Sequence, residues 1–89
     1  MPVWKPKAID DLKNITAYIA QDNPRAAVET GDMLIQKAGR LDEYPELGRA
    51  GRMKGTRELV VHHNYVLIYR VTGETVEVLR VKHSSMRWP

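Results

Sequence analysis

The feature that most constrains this chain is a change of hydrophobic period near its middle. Up to Pro45 the apolar residues recur at helical spacing. Beyond a loop at Gly48–Gly55 they follow the two-residue period of strands. In the first part, Val3-Trp4-Lys5 predicts a short strand stopped by Pro6, and proline suits the first turn of a helix. Ala8, Leu12, Ile15 and Ile19 define one apolar stripe, with Asp10 and Asp11 near the helix start, where the dipole favours negative charge. Asp22-Asn23-Pro24 ends that helix and begins another, with Asn23 as N-cap and Pro24 at the first helical position. Ala27, Thr30, Leu34, Ala38 and Leu41 form the second stripe. The connection is so short that the two helices form an antiparallel hairpin.

The second part predicts strands near 57–62, 65–71 and 75–82. Gly73-Glu74 supplies a two-residue turn with glycine at its first central position, and His63-Asn64 supplies the other. These turns pair Thr72 with Thr75, Tyr69 with Val78, and His62 with Tyr65. In unbroken register one face carries Leu59, Val61, Val66, Ile68, Leu79 and Val81 and is expected to pack on the helices. Arg57, Arg70 and Glu77 end that face as structural ion pairs. Arg70 stands opposite Glu77, a pairing worth roughly 0.2–1 kcal/mol. The other face carries Glu58, Val60, His62, Tyr65, Leu67, Tyr69, Val76, Val78, Arg80 and Lys82 and is expected to be open. The fold class is therefore α+β: an N-terminal strand, an antiparallel helix hairpin, then three antiparallel strands.

The 89 residues make a single domain, 1–89, that buries about 60–65% of its unfolded surface. The absence of cysteine excludes disulfides and thiolate zinc sites. No apolar leader or membrane span is evident, so a cytoplasmic location is expected, without membrane contact. Charge is divided along the chain. Residues 1–47 hold six Lys/Arg and eight Asp/Glu, whereas residues 48–89 hold eight Lys/Arg, three Asp/Glu and all three histidines. The cationic half favours an anionic partner, either nucleic acid or an acidic peptide.

Candidate contact residues follow from that half. Arg49, Arg52 and Lys54 lie in a glycine-spaced loop that lacks P-loop spacing. Glu58 is expected to bridge to the loop arginines. Arg80, Lys82 and His83 end the last strand. Tyr65 and Tyr69 offer aromatic surface, and Arg87 with Trp88 has the composition of an interface anchor. His62 and His63 read as turn histidines. They have no further ligand at suitable spacing, so neither a metal nor a cofactor is expected.

Several adjoining motifs together resemble the RelE/ParE superfamily of bacterial toxins, and more closely its ParE branch. They are Asp11-Leu12 with Tyr18-Ile19, Asn23-Pro24-Arg25-Ala26-Ala27, Gly48-Arg49 with Gly51, Gly55-Thr56-Arg57-Glu58-Leu59-Val60, Asn64-Tyr65, Tyr69-Arg70-Val71, Val78-Leu79-Arg80-Val81, His83 and Arg87-Trp88-Pro89. The resemblance implies a growth-inhibiting, plasmid-stabilising toxin of a type II toxin–antitoxin module. It would be held in a hetero-oligomer by a cognate antitoxin with an acidic, partly disordered segment. In the ParE branch the target is DNA gyrase, whereas in the RelE branch the toxin cuts mRNA on the ribosome. Members of the latter often carry an arginine before the apolar run of the middle strand, where this chain has Tyr65 and Val66. If the chain is a ribonuclease, His83 and Arg80 are its catalytic candidates. A third possibility is a non-toxic binding partner or corepressor with the same fold.

Overall fold

The computed structural model describes residues 1–62 and 64–83, with His62 described by its backbone alone. His63, Arg87 and Trp88 lie outside the described residues. The elements run β1 (Val3–Trp4), α1 (Pro6–Ala20), α2 (Pro24–Gly39), a 3₁₀ turn (Arg40–Asp42), β2 (Arg49–Ala50), β3 (Arg57–His62), β4 (Tyr65–Thr72) and β5 (Thr75–His83). They build one five-stranded sheet in the order β1-β5-β4-β3-β2. Among the described strands only β1 runs parallel to its neighbour, and the other pairs are antiparallel. No described helix is long and apolar enough to cross a membrane.

Local chemistry explains the helix ends. Pro6 and Pro24 each open a helix, and the Asn23 side chain accepts a hydrogen bond from Ala26 N–H at 3.1 Å. The two stripes read from the sequence meet the sheet. Ala8, Leu34 and Ala38 are buried against Leu67, Val78 and Val81, with Trp4, Leu12, Ile15, Met33, Leu59, Val61 and Tyr65 packed around them. A second cluster joins Leu41 to Tyr69 and Val76.

The pairings at the turns hold: Thr72 faces Thr75, Tyr69 faces Val78, Arg70 faces Glu77, and His62 faces Tyr65. The face assignment drawn from them holds for Leu59, Val61 and Val81, which pack on the core as expected, and fails for the rest. Leu67, Tyr69, Val76 and Val78 turn inward, and Ile68 and Leu79 line the outer side. Two bulges cause the difference. Ile68 pairs with Arg80 and Tyr69 with Val78, so Leu79 is an extra residue, and on β3 Val61 is another. Each insertion reverses the alternation beyond it, so no single unbroken register describes both ends of the ribbon. Arg57 is also corrected. Its guanidinium does not join the Glu77 pair but donates to the backbone carbonyls of Gly48 (2.8 Å) and Glu46 (3.4 Å).

The bulge at Leu79 has a partner on α1. Strand β1 covers β5 only as far as Val78. Beyond it the Asp11 carboxylate takes the place of a strand. Its Oδ2 accepts from Val81 N–H at 2.9 Å and from Arg80 Nε at 2.7 Å, while Oδ1 accepts from Arg80 Nη2 at 3.0 Å. Burial opposes ionisation of Asp11. The hydrogen bonds from Arg80 and Val81, with the charges of Arg80 and Lys82, outweigh it and hold the carboxyl below its ordinary value.

Three substitutions test these contacts. Leu67→Ala should lower stability by roughly 2–5 kcal/mol in urea titration, because the side chain lies in the core. Val60→Thr, on an exposed site, should stay within about 0.5 kcal/mol. Asp11→Asn should cost about 1–3 kcal/mol at neutral pH by leaving its donors poorly paired. The folded-state pKa of Asp11 is depressed, so its contribution is complete above the ordinary aspartate value of 3.8 and fades as pH falls through the lower folded value. The gap between wild type and Asp11→Asn should therefore narrow in acid.

Candidate binding surface

The glycine- and arginine-rich segment 48–56 is folded back on the sheet by close backbone contacts. Tyr69 is its anchor. The Tyr69 hydroxyl donates to Pro45 O at 2.6 Å and accepts from Gly48 N–H at 2.8 Å. A Cβ at Gly48 would stand 2.7 Å from the Tyr69 ring, and one at Gly51 would stand 2.3 Å from Thr56 Oγ1. Both glycines are required by close approach. Gly51 N–H donates to Thr56 O at 2.8 Å, and the Thr56 hydroxyl donates to Met53 O at 2.6 Å.

Glu58 lies beneath this loop, almost fully buried, with Arg49 Nη2 at 3.5 Å and Arg52 N–H donating at 3.0 Å. The expected bridge to the loop arginines is thus present for Arg49, while Arg52 contributes its backbone. Loop geometry accounts for Glu58. Both arginine residues are exposed.

The remaining candidates separate into two places. Arg70, Arg80 and Lys82 line a groove of about 850 Å³ on the outer side of the sheet. Arg70 Nε donates to Glu77 Oε1 at 2.5 Å, as the register predicts, and that hydrogen bond, with the charges of Arg70 and Lys5, keeps Glu77 below the usual carboxylate range despite some desolvation. Arg80 is committed to Asp11. Lys5, Lys7 and Lys54 also line the groove, and sequence reasoning did not single out the first two. Tyr65 and His83 lie elsewhere, paired across β4 and β5 with their rings edge to face and centroids 5.5 Å apart. Tyr65 packs on the core side of the sheet and also borders a cavity of about 380 Å³ with Asn64, Met33 and Glu29. Tyr69, expected on open surface, is fully buried. Among the described residues no three His, Asp, Glu or Cys side chains converge as metal ligands.

This arrangement has clear counterparts among known proteins. Residues 3–88 match the family described as the ParE toxin of the type II toxin–antitoxin system parDE. Y4kP of Sinorhizobium fredii is 40% identical over 87 residues, spanning 97% of this chain and 90% of that protein. Toxin RelE2 of Caulobacter vibrioides is 40% identical over 83 residues, spanning 93% of each. In fold, the chain superimposes on a chain from the chromosomal ParDE system of P. aeruginosa with a TM-score of 0.81 at 23% identity, covering 93% of this chain and 95% of that one. It superimposes on a chain of the heterotetrameric YoeB-YefM toxin–antitoxin complex of Staphylococcus aureus with a TM-score of 0.66 at 15% identity, covering 99% and 97%. The chain belongs to the ParE toxin family of type II toxin–antitoxin systems, within the RelE/ParE superfamily.

Proposed function

We propose that this toxin halts growth by binding DNA gyrase, without cutting nucleic acid itself, and that a cognate antitoxin with an acidic, partly disordered segment silences it in a hetero-oligomer in the cytoplasm. The observation that carries the reading is the state of Arg80. Ribonuclease chemistry at the 2′-hydroxyl needs a proton acceptor, a proton donor and cations around the phosphate. Arg80, the cation best placed in sequence for that work, gives two guanidinium N–H groups to Asp11. Its proposed partner His83 stands opposite Tyr65, which packs on the core side. Arg70 is likewise held by Glu77. A surface whose arginines are fixed by carboxylates suits shape-specific protein contact better than stabilisation of a developing phosphorane.

The contact surface in this reading combines the groove lined by Lys82, the exposed Arg49 and Arg52 of the loop, and the Arg87-Trp88 tail. Arginine and aromatic side chains are the usual anchors of protein interfaces.

Purified toxin added to gyrase supercoiling and cleavage reactions should inhibit supercoiling and accumulate cleaved DNA, with bulk mRNA left intact in induced cells. The short reading frame beside the toxin gene should restore growth when co-expressed. Unimpaired gyrase together with new cuts inside reading frames would replace this reading with ribosome-dependent mRNA cleavage. Normal growth on induction of soluble protein would favour a non-toxic corepressor.

A further inference from the structure

The helical layer leaves an apolar face of its own uncovered. A groove of about 640 Å³ runs between α1 and α2. Its floor is made of short side chains, Thr16, Ala17, Ala20 and Ala27. Gly31 completes it opposite Thr16, whose Cγ2 would stand 3.3 Å from a Cβ placed there. Val28 and Ile35, two turns apart on α2, flank this floor and are 64% and 50% exposed. Ile9, one turn before Lys13 on α1, is exposed as well. Single exposed apolar side chains are ordinary, but several on one face beside a groove mark an interaction surface. Lys13 and Asp32 are the charged residues among the described lining, and they have opposite sign. Neither side chain has an ion pair among the described residues.

We infer that this face is an interface between two copies of this chain, related by a two-fold axis that runs parallel to the helices. The patch is complementary to itself. It carries a ridge, Val28 with Ile35, and beside it the shallow groove that such a ridge fills. The charges select the same partner and fix the axis. Thr16 stands opposite Gly31, and α1 and α2 run in opposite directions. Lys13 and Asp32 therefore lie on the same side of that level, about 3 Å apart along the helix axis. A two-fold parallel to the helices sets α1 of one copy against α2 of the other at unchanged height. Lys13 of each copy then meets Asp32 of the other. An acidic segment fits this face less well, because Asp32 repels it and Lys13 is the lone cation of the described lining. The helices cover the core side of the sheet, so pairing here leaves the outer side of each copy open. The inference is independent of the toxin's target.

The test is sedimentation velocity of the full-length toxin across about a hundredfold range of concentration, from which a dimer dissociation constant is read. Wild type should pass from monomer to dimer. Val28→Glu/Ile35→Glu should stay monomeric. Both side chains are exposed, so this variant should keep the circular dichroism spectrum of dilute wild type. Lys13→Glu should raise the dissociation constant by about tenfold at low salt, and adding Asp32→Lys should restore it to within about threefold. That rescue needs two copies of the chain, since no second protein carries the compensating change. A toxin that is monomeric at every concentration would overturn the proposal. So would a dimer that Val28→Glu/Ile35→Glu forms as readily as wild type, or a loss in Lys13→Glu that Asp32→Lys does not repair. Monomeric wild-type toxin whose antitoxin is lost in co-purification with Val28→Glu/Ile35→Glu would overturn it by assigning the face to the antitoxin.

Discussion

One carboxylate ties the helical layer to the sheet at the point where the sheet changes character. Strand β1 covers β5 only through Val78, and the next residues would otherwise present an unpaired edge. Asp11 on α1 closes that edge by accepting from Val81 N–H, and it holds Arg80 with its two oxygens. The Leu79 insertion makes this possible. It lets Val81 turn into the core while Leu79 joins the outer groove. Bulges at sheet edges commonly re-aim side chains, and here Leu79 is turned to the outer side while Arg80 beside it gives Nε–H and Nη2–H to Asp11.

The segment from Pro45 to Thr56, which includes β2, is shaped by a second set of internal contacts. Tyr69 and Glu58 hold it from below, and Arg57 donates to two of its carbonyls. The motif Gly-Thr-Arg-Glu therefore has a structural explanation: two of its residues support a loop that carries Arg49, Arg52 and Lys54 outward. Much of what looked like recognition chemistry in the sequence is framework. The groove, by contrast, draws on lysines that no motif marks.

The layer order, the helix hairpin, the Asn23 cap and both hairpin registers at the turns were legible because each follows from local chemistry: proline at a helix start, glycine in a turn, apolar residues at a fixed period. The inner and outer faces were not. Alternation propagates from a turn only until an extra residue intervenes, and nothing in Leu79 or Val61 distinguishes an inserted residue from a paired one. Tyr69 illustrates the consequence. Read by parity it belongs on open surface, yet its ring fills the core and its hydroxyl finds Pro45 and Gly48, more than twenty positions earlier. The Arg70–Glu77 pair was legible because it lies between the turn and the bulge. Asp11 was placed correctly on the helix, but its bond to Arg80 spans 69 positions, and local pattern carries no information at that range.

The central claim is that Arg80 serves the fold and is withheld from phosphate. Proton exchange at the Arg80 side-chain Nε–H, followed by NMR across pH, measures this directly. Exchange much slower than in Asp11→Asn at the same pH, with no response to added phosphate or RNA at neutral pH, is the expected result. An Arg80 proton exchanging as freely as in an unfolded chain, and shifting on addition of RNA, would contradict it.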